Sequence, residues 1–460
     1  MKGYKLSYYL VVTDILDEHS PTPNRMLYAT RSGCAMVIKD SIYQNLLSQN
    51  YDAIPEETLS FFADRYILVP EDEDELTSIL TDNTQAIENS HILSHTIQPG
   101  ANCQLGCDYC GQVHSNKSMS EDHQIKMINR IDSLVEERHK QMHITWYGGE
   151  PIMAIKEIRT ITPRLRELCE RHGMTYMADM VTNGLGFKKR VFEELVGELG
   201  IAHFQITLDG TAEFHDQRRY TKKGGKTKGK TFDTIVKNIV AATSHPLFEE
   251  KNCSIVVRCN INDSNKENIK SLVWYLASLN LQDKIIFDFQ PVTDWGDNNA
   301  SSGSMSKQDY GAYEIERMME AIQLGFEIDQ FIPTRSKQVC MVVDEKSEVY
   351  DAMGNIYSCW ELPYTPVYEN SKFQYGHLDK DVEKYTRDSM RDWYKQIPTN
   401  DTWCKSCKFL PVCGGGCPQK WMEKTPACPS FKFNIEDRLV LEYLAKNSDN
   451  MAEVLASASS

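Results

Sequence analysis

The 460-residue chain has no apolar run close to the roughly 20 residues that a membrane-spanning helix needs; its longest runs, such as 8–12, are a quarter of that. A spanning helix is excluded. Positive charge is also short. With 50 Lys and Arg against 65 Asp and Glu, the formal net charge is −15, which works against holding nucleic acid by bulk electrostatics. The basic stretch 222–230 is the local exception, and a solvated surface turn accounts for it. The N-terminal segment lacks a small-residue cleavage site and turns acidic at Asp14, so no signal peptide is expected and the location expected is cytoplasmic. No long-period repeat is present, which excludes a solenoid.

Cysteine, by contrast, is plentiful. Fourteen thiols in a reducing compartment do not read as a disulfide framework; they read as metal ligands or redox groups. Ten of them fall in two groups. Cys103, Cys107 and Cys110 form the first, and Cys340, Cys359, Cys404, Cys407, Cys413, Cys417 and Cys428 the second. The remaining four, Cys34, Cys169, Cys253 and Cys259, fit as small core residues.

Between the two groups, strands alternate with helices. Ser118 and Glu121 have the spacing of a capping box, opening a helix with Ile125, Ile128, Ile131, Leu134 and Val135 at helical spacing. MHITWY at 142–147 alternates like a strand, and TYMADMV, HFQITL, CSIVVRCNI and KIIFDFQ follow, each of the first three preceding a helical stretch. Such alternation implies right-handed βαβ units and a parallel sheet. Phe204, Ile206 and Leu208 oppose Gln205, Thr207 and Asp209, while Ile255, Val257 and Ile261 oppose Arg258 and Asn260; Asp288 and Gln290 repeat the polar side. A doubly wound sheet buries both faces, so a recurrent polar face points to a curved, barrel-like sheet around a polar ligand. About six such strands leave the barrel open on one side.

Residues 1–90 read as a separate α+β unit, a β-ribbon followed by two helices. Residues 95–325 form the barrel segment. From about 337 to 435 the chain is rich in Cys, Gly and Pro with little periodicity, so cysteine-bound metal is the expected staple; 436–460 reads as a helix and tail.

Cys103, Cys107 and Cys110 have the spacing CxxxCxxC. Three thiolates on one short loop can cap three irons of a 4Fe-4S cube and leave the fourth free for an amine and a carboxylate. A zinc site needs four ligands, and no histidine stands at the right spacing to complete one. In the second group, Cys404, Cys407, Cys413 and Cys417 could make a zinc ribbon, which leaves Cys340, Cys359 and Cys428 unexplained.

CQLGCDYC resembles the signature of the radical SAM family, and the resemblance runs from about residue 95 to 300 through GGEP at 148–151, TNG at 182–184, TLDG at 207–210 and HDQRR at 215–219. It implies a partial (β/α)6 TIM-like barrel, with Gly148, Gly149, Glu150, Thr207, Asp209, Arg258 and Asn260 contacting S-adenosylmethionine and Arg219 available to a carboxylate. The second cysteine group, with Gly354, resembles the C-terminal SPASM domain of that family. This implies two auxiliary 4Fe-4S clusters, one on Cys404, Cys407, Cys413 and Cys428, the other on Cys340, Cys359 and Cys417, hence three 4Fe-4S clusters in all. The second auxiliary set is one ligand short. Asp344, Glu345 or Glu348 could close it, or an open iron could take a substrate thiolate.

The resemblance further implies a maturase of a ribosomally made precursor peptide: a radical formed from S-adenosylmethionine takes a hydrogen atom from the peptide, and a thioether or carbon-carbon crosslink results. The 1–90 unit resembles winged-helix domains that bind a leader peptide by strand addition, a structural cap on the barrel being the alternative. A flavodoxin- or ferredoxin-type reductant is implied as a partner. Anaerobic sulfatase maturases, which form formylglycine, carry Asp directly after the second SPASM cysteine; here Trp360 follows Cys359. A zinc-binding scaffold without catalysis is the remaining reading. No catalytic base is identifiable.

Overall fold

The computed structural model describes residues 3–17, 20–222, 230–296, 298–329, 331–369, 371, 373–380 and 390–447. Most of the basic stretch, 223–229, and the tail 448–460 lie outside them.

The N-terminal unit carries β1 (Tyr4–Leu6), β2 (Leu10–Val12), β3 (Asn24–Ala29), β4 (Cys34–Lys39), α1 (Asp40–Leu47), α2 (Glu56–Asp64), β5 (Leu68–Pro70) and α3 (Glu75–Glu88). Strands β2-β3-β4 make an antiparallel sheet and β1 pairs with β5. Along β3 the side chains part by alternation. Leu27 and Ala29 join Ile38, Leu46 and Phe62 in the unit's own core, whereas Met26 and Tyr28 pack with Val11 against Val412, Phe431, Ile435 and Leu439 near the C-terminus. The unit is thus fixed to the C-terminal region through one face of β3, while the other face closes its own core.

The centre is a ten-stranded sheet in which β6 (Ile92–Ile97), β7 (Gln141–Trp146), β8 (Thr175–Thr182), β9 (Ile201–Thr207), β10 (Ser254–Ile261) and β11 (Ile285–Pro291) lie in sequential, parallel order. The crossovers are made by α4 (Glu121–Leu134), α5 (Ile155–His172), α6 (Lys189–Gly197), the run of α7 (Ala212–Arg218), α8 (Thr231–Thr243) and α9 (Pro246–Glu250), and α10 (Lys266–Ser278); α11 (Lys307–Gln323) follows β11. This is an α/β fold with a partial, six-stranded parallel barrel. Strand β10 alternates half-buried with fully buried residues along its whole length: Val257, Cys259 and Ile261 pack under the helices, and Arg258 and Asn260 face inward. In α8, Phe232, Ile235, Val236 and Ile239 form the buried stripe that answers this sheet.

One local expectation changes. Ser120 caps α4, its side chain accepting from the His123 amide, because Ser118 is held extended in a bridge to Gly100. The cysteine-rich region joins the barrel sheet. Strand β12 (Glu327–Ile328) borders β11, while β13 (Glu348–Tyr350) adds parallel to β6 and continues antiparallel through β14 (Asn355–Tyr357) and β15 (Gln374–His377). The sheet therefore runs unbroken from the barrel into the C-terminal region. Among the described residues, no helix is long and apolar enough to cross a membrane.

Candidate active site and cysteine clusters

Strand β6 delivers the chain to the mouth of the barrel, where the loop after it carries Cys103, Cys107 and Cys110. The end of HDQRR and the residues just after it hold this loop: the Gly106 amide donates to Tyr220 O (2.8 Å), the Asp108 amide to Arg218 O (3.1 Å), and Leu105 bridges to Thr221. Asp216 Oδ1 accepts from the amides of Thr231 and Phe232, both at 2.9 Å, and so caps α8, while the Asp209 amide donates to His215 Nδ1 at 3.3 Å. The motif acts as scaffold, and Arg219 alone of its five residues lines the adjoining cavity.

That cavity, of about 460 Å³, is lined by the three cysteines together with Gly148, Gly149, Thr207, Arg219, Arg258 and Asn260. Its size lies within the about 300–1,000 Å³ usual for ligand sites. Burial pushes the Cys103 thiol up to about 11 and Cys107 up to about 12. Three such thiols are costly to ionise unless a metal takes the charge. Their surroundings fit one: the Leu105 amide and Asn183 Nδ2 point at Cys103 Sγ, at 3.5 and 3.7 Å, as donors to a thiolate do, and the Arg219 guanidinium lies close enough to favour all three thiolates. The two glycines are required by geometry. Gly148 (φ +79°) would place a Cβ 2.1 Å from Gln98 Oε1, and Gly149 (φ +56°) one 2.6 Å from Asn102 O.

The C-terminal cysteines divide between two further cavities. Cys340, Cys359 and Cys417 line one of about 690 Å³; Cys404, Cys407 and Cys428 line a small enclosed one, and Cys413 borders both. The zinc-ribbon set is therefore split, with Cys417 facing the larger cavity. At the small site the Gly415 amide donates to Cys413 Sγ (3.3 Å), and Trp403 Nε1 and Lys432 Nζ approach Cys428 Sγ at 3.2 and 3.6 Å. An all-sulfur donor set with N–H groups aimed at it suits an iron-sulfur cluster.

No protein-family model matches the chain. It is 24% identical over 396 residues to the cysteine-type anaerobic sulfatase-maturating enzyme of Clostridium novyi (strain NT), a match covering 77% of this chain and 97% of that one. It is 26% identical over 192 residues, 40% of either protein, to the sporulation killing factor maturation protein SkfB of Bacillus subtilis (strain 168). Its fold is similar to that of native anSMEcpe with bound AdoMet, with a TM-score of 0.55 and 18% identity over 80% of this chain and all of that one. These relatives and fold neighbours, to which the chain is similar, are radical SAM enzymes of the SPASM type.

At this site two residues expected on the cofactor, Glu150 and Asp209, bond to protein groups. Glu150 is buried with both oxygens taken: Oε1 accepts from the Thr182 hydroxyl (2.6 Å) and the Ile152 amide (3.1 Å), Oε2 from the Asn183 amide (2.7 Å). It ties GGEP to TNG instead of lining the cavity. Asp209, fully buried, accepts from the Asn260 amide (2.9 Å) and from the Tyr109 hydroxyl (2.6 Å), whose oxygen in turn receives Arg219 Nη1. Asp209 thus orients Asn260 and, through Tyr109, Arg219. Arg258 is on the lining and is steadied by Asp288 (3.1 Å) and Asn260 Oδ1 (3.2 Å).

The carboxylates offered as a closing ligand near Cys340 turn elsewhere. Glu348 lies on β13, gripped by Arg130 at 2.6 and 2.9 Å, and Asp344 accepts from the Ser347 hydroxyl (2.8 Å). Neither these two nor Glu345 borders the larger cavity. The carboxylate that does is Glu361, which also lines the barrel cavity and accepts from the Tyr147 hydroxyl at 3.2 Å. Burial pushes its carboxyl above the usual range. Glu361 belongs to no motif, so the sequence carried no spacing signal for it. Tyr109, between two cysteines of the loop, was visible but unassigned.

Proposed function

We propose that the enzyme is a maturase of a ribosomally made peptide, closing a thioether or carbon-carbon crosslink. The observation that carries this reading is the junction of the two large cavities: Trp295, Trp360 and Glu361 line both the cavity of Cys103, Cys107 and Cys110 and that of Cys340, Cys359 and Cys417. A peptide side chain lying there reaches both cysteine sites.

In this reading Cys103, Cys107 and Cys110 hold a 4Fe-4S cluster, and the remaining seven cysteines hold two more, divided as the cavities divide them. When bound, the first cluster and S-adenosylmethionine would supply a 5′-deoxyadenosyl radical able to take one hydrogen atom from the peptide; as the crosslink closes, the second electron would pass to the cluster held by Cys340, Cys359 and Cys417 and the proton to solvent. Gly148 and Gly149 let the backbone approach the cofactor's amino group, Arg219 meets its carboxylate, and Thr207, Arg258 and Asn260 complete its wall. The protein orients the two reactants and keeps water out. With Cys413, which borders both cavities, assigned to the small site, the Cys340 site has three thiols, and an iron held there would be open to a substrate thiolate, with Glu361 as the nearby competitor. A flavodoxin- or ferredoxin-type protein supplies the electrons.

Arg258→Met is expected to weaken S-adenosylmethionine binding about tenfold with no loss of iron, read by equilibrium dialysis. Unchanged affinity moves Arg258 to a purely structural role.

The leader of the peptide is proposed to add to β4, which pairs with β3 alone and leaves its other edge open among the described residues. Deleting residues 1–90 is a poor test, because it strips Val11, Met26 and Tyr28 from the C-terminal core. Val37 is 40% exposed on β4, and Val37→Glu leaves that core intact. It is expected to lower leader affinity about tenfold by fluorescence anisotropy while cofactor cleavage without peptide continues. Equal affinity returns the unit to a cap.

The second reading, formylglycine formation, draws on the length of the match to a sulfatase maturase. Against it, Trp360 occupies the place after Cys359, and about a quarter of this chain falls outside that match. The peptide encoded beside the gene, incubated with reduced enzyme, separates the two. A crosslinked product loses two hydrogens and ignores hydrazides; formylglycine forms a hydrazone.

A further inference from the structure

Away from the cysteines, a cluster of metal-ligating side chains stands at the seam between barrel and C-terminal region. His123, in the first turn of α4, faces His377 at the end of β15 and Asp379 two residues beyond. One donor atom from each lies within 4.8 Å of the others. His123 Nε2 is 3.3 Å from Asp379 Oδ2, and His377 Nδ1 is 3.8 Å from the same oxygen. Two ligands at about 2.0–2.1 Å from a tetrahedral zinc ion stand roughly 3.3 Å apart, so the spacing suits donors around a metal.

The surroundings favour a cation there. His377 Nδ1 accepts from the Asp379 amide at 3.1 Å, a bond it would exchange for an ion bound at this nitrogen. Lys126 Nζ holds Asp379 Oδ1 at 2.7 Å, orienting the carboxylate as an outer partner of a ligand does and leaving Oδ2 turned toward both histidines. The backbone is also cut to admit the His123 ring. Gly354, at φ +89°, would bring a Cβ within 2.8 Å of His123 Cε1, and His123 Nδ1 is buried without a partner.

We propose that His123, His377 and Asp379 bind a divalent first-row ion, zinc serving as the probe, with water in the remaining position. The ion fastens α4, the helix that follows the cysteine loop, to the β14–β15 hairpin. Its nitrogen and oxygen donors keep it distinct from the sulfur sites.

The test uses enzyme with its iron-sulfur clusters assembled, equilibrated with zinc chloride and desalted, then examined by metal analysis and zinc-edge X-ray absorption. One zinc per chain is expected, with a nitrogen and oxygen shell at about 2.0–2.1 Å and no sulfur at about 2.3 Å. His377→Gln and Asp379→Asn, both away from the core, are each expected to weaken zinc binding at least tenfold at unchanged iron content. No retained zinc, a sulfur shell, or undiminished binding in both variants overturns the proposal.

Discussion

Alanine in place of Cys103, Cys107 and Cys110 together is expected to abolish cleavage of S-adenosylmethionine and to lower bound iron from about twelve to about eight atoms per chain, the content of two 4Fe-4S clusters. The loss is confined because this loop is separate from the C-terminal cysteines: it is held by the 218–222 segment, and the other seven cysteines line different cavities. Iron analysis and chromatography of 5′-deoxyadenosine read the two effects. Continued cleavage by the triple variant would remove the cysteine loop from the chemistry.

The second large effect is on stability. Glu348 is 1% exposed, its two oxygens paired with Arg130 Nη2 (2.6 Å) and Nε (2.9 Å), and the Tyr350 hydroxyl donates to it at 2.5 Å. Burial pushes this carboxyl up, but Arg130 and Tyr350 outweigh it and hold it below the usual carboxylate range. Its contribution to stability is therefore complete above the ordinary carboxyl pKa and is lost as the pH falls through the lowered folded value. Glu348→Ala leaves Arg130 without its carboxylate at the joint between α4 and β13, and is expected to cost about 3–5 kcal/mol in anaerobic denaturant unfolding at neutral pH. Iron content should stay unchanged. A variant of full stability that loses iron would make Glu348 a cluster ligand after all.

The barrel was legible because period-2 and period-3.6 patterns are local: the alternation in 254–261 and the stripe in 231–243 each fix an element and its inner face. The C-terminal extension was not. Strand β13 has three residues and pairs with β6 some 250 positions earlier, a contact that no local pattern encodes. The docking of the N-terminal unit does leave a local trace, since MLYA in β3 is continuously apolar, the mark of a strand buried on both faces.

At the site, the division of the C-terminal cysteines between two cavities agrees with what the resemblance implied, whereas spacing alone offered Cys404, Cys407, Cys413 and Cys417 as one set, which the cavities split. Glu150 and Asp209 were expected on the cofactor because a polar residue at a strand end reads the same in one dimension whether it meets a ligand or ties two loops together. The amides of Asn183 and Asn260, which claim these carboxylates, appear only with the fold. Glu361 shows the converse: a carboxyl two residues past Cys359 becomes prominent only when two cavities meet at it.

The most direct test of the account follows the hydrogen atom. Reduced enzyme is incubated with unlabelled S-adenosylmethionine and a precursor peptide deuterated at its carbon positions, and 5′-deoxyadenosine is examined by mass spectrometry. The account predicts deuterium in the 5′-deoxyadenosine in step with the loss of two hydrogens from the peptide. Modified peptide alongside 5′-deoxyadenosine free of deuterium would contradict it.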